Sequence, residues 1–159
     1  MREGFDVLQV CLNGHKITDM AGSHPEFAKS FCPTCGEATI TACPTCGAAM
    51  QGYHHISGVF HTTKTPIPNN CHGCGTAFPW RQAAIANAIE VLQMNLDGDD
   101  AGQVPELVEA LSKDTPMAET AALKLKRILP KVGRATYDVA VKVVSDVASE
   151  TAKKTLGLK

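Results

Sequence analysis

The sequence predicts an α+β protein: a small β-rich, zinc-stabilised module of the zinc-ribbon type, or a cross-braced variant of it, followed by an α-helical region. All seven cysteines of the 159-residue chain lie in the first 74 residues. Six of the nine prolines and nine of the thirteen glycines also precede residue 80. The remainder is rich in Ala, Val, Leu and Lys at helical spacing. We therefore expect a metal-binding module over 1–79 and a helical region over 80–159.

Six cysteines form three CxxC pairs, each followed by glycine, and this pattern is typical of zinc knuckles. Two thiolates three positions apart can bind one Zn²⁺ when the backbone makes a tight turn, and the glycine permits the positive φ that such a turn requires. Redox CxxC motifs begin helices, which these pairs do not precede, and disulfide scaffolds belong to secreted chains. The pairs are Cys32/Cys35, Cys43/Cys46 and Cys71/Cys74.

A fourth pair is needed, because two four-coordinate sites require eight ligands. Cys11 supplies the seventh, and His15 is the best candidate for the eighth. The intervening Asn13-Gly14 favours a two-residue hairpin turn, in which Leu12 would face His15 and Cys11 would point to the other side. We therefore expect this pair to bind metal only if the turn departs from a regular hairpin.

Two arrangements of the four pairs are open. Only seven residues separate Cys32/Cys35 from Cys43/Cys46, so these two pairs could form a local site. Cys11 and His15 would then join Cys71/Cys74. Alternatively the pairs interleave, as in cross-braced RING or FYVE modules. Counted in chain order from Cys11/His15, the first pair would then join the third and the second would join the fourth. We expect interleaving, because it closes longer loops and would stabilise the module more.

Short strands are predicted between the pairs. Residues 5–10 alternate as one strand, 15–18 return from the turn, and 50–63 form a hairpin around Ser57-Gly58. Such a module has few large apolar side chains and would be marginal without metal, so the zinc is expected to be structural. The remaining histidines are expected to lie outside the sites, facing solvent or hydrogen-bonded in strands: His24, His54, His55, His61 and His72.

The second half predicts four helices, at about 80–96, 105–113, 116–129 and 134–156. The acidic stretch 97–102 resembles the start of an EF-hand loop. The match fails at the fifth position, which is Ala101, and at the twelfth, which is Val108. We therefore expect an acidic turn there.

Charge is unevenly distributed, although the net charge is only −1. Residues 1–119 hold six Lys or Arg and thirteen Asp or Glu, whereas residues 120–159 hold nine and three. The basic segment is the candidate contact for phosphate or for a partner, with a solvated helix face as the alternative reading. Its residues are Lys124, Lys126, Arg127, Lys131 and Arg134.

No apolar run is long enough for a membrane span, and the first residues do not look like a signal peptide. We therefore expect a cytoplasmic protein of bacterial type. The strings VCLNGHKIT, FCPTCGEATITACPTCG and NNCHGCGTAFPW resemble an uncharacterised bacterial domain family of unknown function with zinc-ribbon-like knuckles. The resemblance covers about residues 5–82, and the tail DVASETAKKTLG is also similar. It implies metal binding, brings no known activity, and makes Cys11 and His15 more credible as ligands.

The functional expectation is a non-enzymatic protein with two structural Zn²⁺ per chain and no catalytic residues. Its helices would contact a protein partner or a second copy of the chain. One alternative is nucleic-acid binding through segment 124–134. A second is a RING-like ligase, if the sites interleave, or a thiol-redox protein. The eight expected metal ligands are Cys11, His15, Cys32, Cys35, Cys43, Cys46, Cys71 and Cys74.

Overall fold

The computed structural model describes residues 3–158. The chain forms two compact units, of which the first ends at Gln82 and the second begins at Ala83. Small antiparallel sheets lie in the first unit, and helices make up the second. This confirms the predicted α+β class. The division between the units falls three residues beyond the predicted boundary at Pro79, within the first helix.

Five short strands form two antiparallel sheets in the first unit. Strand β1 (Gly4–Val7) pairs with β5 (Gln51–His55). Strand β2 (Gln9–Cys11) lies between β3 (Lys16–Thr18) and β4 (Thr39–Ile40). The single strand predicted over residues 5–10 is therefore two strands, because each half pairs with a different sheet.

The predicted hairpin over 50–63 has only one of its strands. After β5 the chain turns between Ile56 and Val59, with Gly58 at φ +71°. Residues 60–69 then continue as an irregular segment, so the prediction of a returning strand was wrong. This segment contains two prolines, which cannot donate to a strand ladder.

The apolar core of the first unit is small. Among the described residues it consists of Leu8, Val10, Met50 and Phe78 together with the buried thiols Cys43 and Cys71. The indole of Trp80 stacks on Phe78, with ring centroids 4.8 Å apart. So few side chains give little hydrophobic stabilisation for a unit of about 80 residues, and such modules usually need metal or disulfides.

The α-helices in the described residues are α1 (Pro79–Met94), α2 (Gly98–Leu111), α3 (Pro116–Ile128), α4 (Arg134–Val147) and α5 (Glu150–Leu156). A 3₁₀ turn over Leu129–Val132 joins α3 to α4. The core of the second unit is aliphatic, and its buried members are Ala, Val, Leu and Ile. No helix in the described part of the chain is long and apolar enough to cross a membrane.

The acidic stretch is the start of α2, which corrects the expected turn. Asp97 precedes the helix, and Asp99 and Asp100 lie in its first turn. Carboxylates at this position stabilise the helix, because they interact favourably with the positive end of the helix dipole. Pro105, predicted to begin this helix, lies inside it and lacks the N–H that would bond the carbonyl of Ala101. The side-chain amide of Gln93 donates to that carbonyl instead, at 3.2 Å.

The last predicted helix, 134–156, is two helices. Ala148 adopts extended dihedral angles, and Ser149 caps α5 by accepting a hydrogen bond from the amide of Ala152. The amide of Ser149 donates to the carbonyl of Leu111 at 2.8 Å. This tertiary hydrogen bond satisfies the backbone at the break, which the amphipathic pattern of the segment could not reveal.

Candidate metal centres

The three CxxC pairs occupy three hairpin loops of the same geometry. In each loop the glycine after the second cysteine donates to the carbonyl of the first, at 2.8–2.9 Å. The amide of the first cysteine donates to the carbonyl of the residue after the glycine, also at 2.8–2.9 Å. Gly36, Gly47 and Gly75 have φ between +76° and +78°, a region that favours glycine. In each pair the first cysteine is buried and the second exposed.

Cys11 and His15 lie on a shorter loop that is not the two-residue turn expected from Asn-Gly. The amide of Gly14 donates to the carbonyl of Cys11, and the amide of Cys11 donates to the carbonyl of His15, both at 2.9 Å. The loop therefore contains three residues, and Gly14 at φ +89° is its bulge. Because of this extra residue, Cys11 rather than Leu12 lies opposite His15.

The eight side chains converge in two groups of four. Cys11 and His15 meet the pair Cys32/Cys35, and the third and fourth cysteine pairs meet each other. The pairs thus combine in chain order, so the interleaved arrangement and the alternative that joined the first pair to the fourth were both wrong. The reason is local strand pairing, since β2 pairs with β4 and places Cys11 opposite Thr39, just beyond the second knuckle.

A close approach holds the third and fourth knuckles together. A Cβ atom at Gly73 would lie 3.0 Å from the Cβ of Ala48 and 3.4 Å from the Sγ of Cys46. A larger residue there would require the two loops to move apart by a few tenths of an ångström. Gly73, the second of the two residues between Cys71 and Cys74, is therefore part of how the second group forms.

The ligand atoms are spaced as a tetrahedral metal ion requires. A Zn–S bond of about 2.3 Å and a Zn–N bond of about 2.0–2.1 Å give tetrahedral edges of about 3.8 Å between sulfurs and about 3.6 Å between sulfur and nitrogen. In the first group, Cys11 Sγ is 3.4 Å from His15 Nδ1 and 3.7 Å from Cys35 Sγ. Cys32 Sγ is 3.7 Å from the same Nδ1.

The second group has the same spacing with four sulfurs. Cys43 Sγ is 3.8 Å from Cys74 Sγ, and Cys46 Sγ is 3.6 Å from Cys71 Sγ. A disulfide bond would bring two sulfurs to about 2.05 Å, and all seven cysteines are free thiols. The residues present therefore fit two metal ions, one in each group of four.

Hydrogen bonds to the sulfurs favour their thiolate form, which is the form that binds metal. The amide of Glu37 and the side chain of Asn13, whose Nδ2 is 3.4 Å from Sγ, lower the pKa of Cys35 to about 6. The amides of Cys46 and Thr45 lower the pKa of Cys43 to about 6.

Crowding of the sulfurs acts in the opposite direction. Cys46 accepts a hydrogen bond from the amide of Ala48, yet the sulfurs of Cys71 and Cys74 raise its pKa to about 11. Neighbouring thiolates repel one another, and a divalent cation at the centre of the group would remove that repulsion. The donor set thus has the chemistry of a cation site.

The basic segment lies on the surface of the second unit, with all five side chains exposed. Lys131 forms an ion pair with Asp100, with Nζ 2.7 Å from Oδ2. The others are Lys124, Lys126 and Arg127 on α3 and Arg134 at the first position of α4.

The other histidines lie outside the two groups, and several have defined partners. His55 Nε2 is 2.9 Å from Asp6 Oδ2, and His24 Nδ1 is 2.9 Å from Glu26 Oε1. His54 stacks on Phe5.

Two polar residues at or near the sites were missed by the sequence reasoning. Asn13, treated only as a turn former, donates to Cys35. Asp6 is buried in β1 and accepts hydrogen bonds from the amides of Val7, Gly22 and Ser23, from the Ser23 hydroxyl and from His55. No local pattern marks Asp6, because its partners come from distant segments.

Comparison with known proteins gives one match. A family model described as "Uncharacterized protein conserved in bacteria (DUF2321)" matches residues 4–156. No curated protein and no solved structure matches the chain.

Proposed function

The chain belongs to this bacterial family, DUF2321, and we propose that it is a non-enzymatic cytoplasmic protein whose first unit is held together by two structural zinc ions. In this proposal the helical unit carries the contacts to a protein partner or to a second copy of the chain. The observation that supports it most directly is the tetrahedral spacing of two four-residue groups.

A structural role is favoured because each group supplies four protein ligands. A catalytic zinc keeps one position open for water or substrate, whereas a Cys₄ or Cys₃His set fills the coordination sphere. The small core of the first unit gives little stability, and a structural zinc would add on the order of 10 kcal/mol to folding. Thiolate-rich tetrahedral sites favour zinc over magnesium or calcium, which prefer oxygen ligands.

Exposed apolar side chains on the helical unit support a role in contact with other molecules. Contiguous exposed apolar patches mark interaction sites, whereas single exposed apolar residues are normal and occur on the first unit too. The examples on the helices are Met94, Met117, Leu123, Tyr137 and Val139, which are 41–76% exposed.

The metal proposal is tested by native mass spectrometry of the whole chain, before and after treatment with a chelator. We expect two zinc ions per chain, both removed by the chelator, and elemental analysis identifies the metal. One ion per chain would mean that only one of the two groups is a site. A chain that holds no zinc ion would overturn the proposal. The same spectra report the oligomeric state. A monomer at all concentrations would exclude contact with a second copy of the chain as the role of the helical unit.

A second measurement tests the structural role. We expect chelation to unfold the first unit while the helical signal in circular dichroism persists, because the aliphatic core is formed by residues of the second unit. Amide resonances of residues 4–78 should collapse to random-coil positions. Retention of their dispersion without metal would show that the ions are not needed for folding.

Nucleic-acid binding is the second candidate, supported by the exposed basic side chains on α3 and at the start of α4. We expect binding of mixed DNA or RNA to fall steeply with salt, since contacts to phosphate release counterions. The double variant K124Q/R127Q should reduce the salt slope by about 2. The variant K29Q, in the first unit, should not change it. No binding at low salt would remove this candidate.

The remaining alternatives have less support. A RING-like ligase depended on interleaved sites, and the pairs combine in chain order instead. Thiol-redox chemistry predicts rapid alkylation of the native protein, whereas bound zinc predicts protection of the thiols until a chelator is added. The CxxC pairs also lie in hairpin loops and not at helix N-termini, where redox motifs are found.

A further inference from the structure

A cavity of about 310 Å³ lies in the first unit, beside the fourth knuckle, whose His72 is part of the lining. Strands β1 and β5 contribute Phe5, Gln51 and His54 to its lining. The irregular segment over residues 60–69 contributes His61, Thr63, Lys64, Thr65, Pro66 and Pro68. Ligand sites in proteins are usually concave and of about 300–1,000 Å³, so this cavity is at the small end of that range.

The irregular segment is fastened at several points along its length. The Tyr53 hydroxyl donates to the carbonyl of His61 at 3.1 Å, and the Thr65 hydroxyl donates to Asp19 at 2.6 Å. Farther along, Nε1 of Trp80 donates to the carbonyl of Pro68 at 3.0 Å. These bonds hold the segment without strand pairing, so the wall of the cavity is formed before any ligand enters.

Aromatic and apolar groups provide the inner surface. Phe5 lines the cavity while 56% exposed, and its ring stacks on His54 with centroids 4.5 Å apart. The imidazole of His61 is fixed in the wall, because it stacks on Tyr53 at 4.4 Å and its Nε2 is 2.7 Å from the carbonyl of His54. Flat, rigid walls of this kind suit a planar ring, which gains stacking and burial.

The charge of the lining is positive or neutral. Among the described residues that line the cavity, Lys64 is the charged one, none is Asp or Glu, and three are histidines. The sequence from residue 38 to residue 89 contains no Asp or Glu. An ammonium group at the edge of an apolar cavity recognises an anion, and charge-assisted hydrogen bonds to a carboxylate are among the stronger ones.

We propose that this cavity binds a small planar aromatic carboxylate, with the ring against the Phe5 and His54 side and the carboxylate at Lys64. Its lining includes none of the eight metal-group residues, but His72 of the fourth knuckle takes part in it, so the ligand site is tested in the metal-loaded protein. One or two fused rings match its volume.

The probe is 2-naphthoate, titrated into the metal-loaded full chain and followed by two-dimensional amide NMR. We expect saturable shifts confined to the residues around the cavity, near 51–54 and 61–68. The neutral analogue 2-naphthalenemethanol should bind at least fivefold more weakly, because it lacks the charge. Metal content is measured in the same samples, so loss of metal and loss of the ligand site are distinguishable.

Three variants complete the test. Lys64→Gln should weaken naphthoate binding at least fivefold, and Lys29→Gln, a matched change outside the cavity, should alter it less than twofold. Thr63→Trp, at an exposed lining position, should block the cavity and abolish the shifts. If Thr63→Trp does not fold, Lys64→Gln and the neutral analogue still decide the outcome. Unsaturable shifts, or equal binding by wild type and Lys64→Gln, would overturn the proposal.

Discussion

The Sγ of Cys11 lies 3.4 Å from Nδ1 of His15, although regular pairing across an Asn-Gly turn would place these side chains on opposite faces. One extra loop residue, with Gly14 at positive φ, brings the two side chains together. The amide of His15 also donates to Cys11 Sγ, at 3.3 Å. The loop therefore presents one sulfur and one nitrogen as a ready pair, and the first candidate metal centre depends on it.

The first prediction concerns His15 as a ligand. Replacing it in His15→Ala should reduce the zinc content from two ions per chain to one, because three cysteines with no fourth protein ligand hold the ion weakly. His24→Ala, whose imidazole faces Glu26, should keep two ions. The measurement is native mass spectrometry in a buffer with a mild competing chelator. Two tightly held ions in His15→Ala would mean that another group completes the site.

The second prediction concerns Asn13, which donates to the sulfur of Cys35 at 3.4 Å. Asn13→Ala removes this bond, so the thiolate loses stabilisation and zinc affinity of the first site should fall about 10- to 100-fold, as is typical for partners of metal ligands. A competitive chelator titration measures the change. Asn87→Ala, at an exposed position of α1, is the matched control and should leave both affinities unchanged. An unchanged affinity in Asn13→Ala would show that the bond contributes nothing.

The third prediction concerns Gly14. Its φ of +89° disfavours other residues, and a Cβ there would lie 3.0 Å from the Cβ of Trp80. We expect Gly14→Ala to lower the free energy of unfolding by about 1–3 kcal/mol and to weaken the first site. Gly102→Ala within α2, where a Cβ meets open space, should instead raise it by about 0.5–1 kcal/mol. Urea unfolding at fixed zinc concentration compares the two, and equal effects would contradict the role of the bulge.

The fourth prediction concerns pH and Asp6. Although burial opposes it, hydrogen bonds from Ser23, His55 and the amides of Val7 and Gly22 hold the pKa of this carboxyl well below its usual range. Because the pKa is lower in the folded state, Asp6 stabilises the fold above its unfolded pKa of about 3.9, and the contribution is lost as the pH falls below that value. The difference in stability between wild type and Asp6→Asn should therefore shrink in acid.

At pH 7 we expect Asp6→Asn to lower the free energy of unfolding by about 1–3 kcal/mol. The reason is that the NH₂ group of the introduced side-chain amide would face groups that also donate. Urea unfolding of both proteins from pH 7 to pH 3 measures the difference at each pH. Only samples that still hold both metal ions are compared, because loss of the ions would itself unfold the unit that contains Asp6. Asp114→Asn, at an exposed position, should show no such trend. A difference that stays constant down to pH 3 would contradict the lowered pKa.

The sequence by itself determined the division into a cysteine-rich and a helical part, the α+β class and the three knuckles. These features are local, because the spacing of two thiols and one glycine specifies a tight turn, and apolar spacing specifies a helix. The spacing selected six of the eight residues that the structure gathers into two groups of four, and the count of ligands added Cys11 and His15.

Only the tertiary structure decided which pairs combine, where the last helix breaks, and how Asp6 and the cavity are formed. Sequential combination depends on β2 pairing with β4, and the break before α5 depends on a hydrogen bond from Ser149 to Leu111. Loop entropy favoured interleaving in the sequence argument, but the cost of closing a loop changes by only about 0.6 kcal/mol for each doubling of its length. Strand pairing therefore decides the combination against so small a preference, and it has no signature in local sequence.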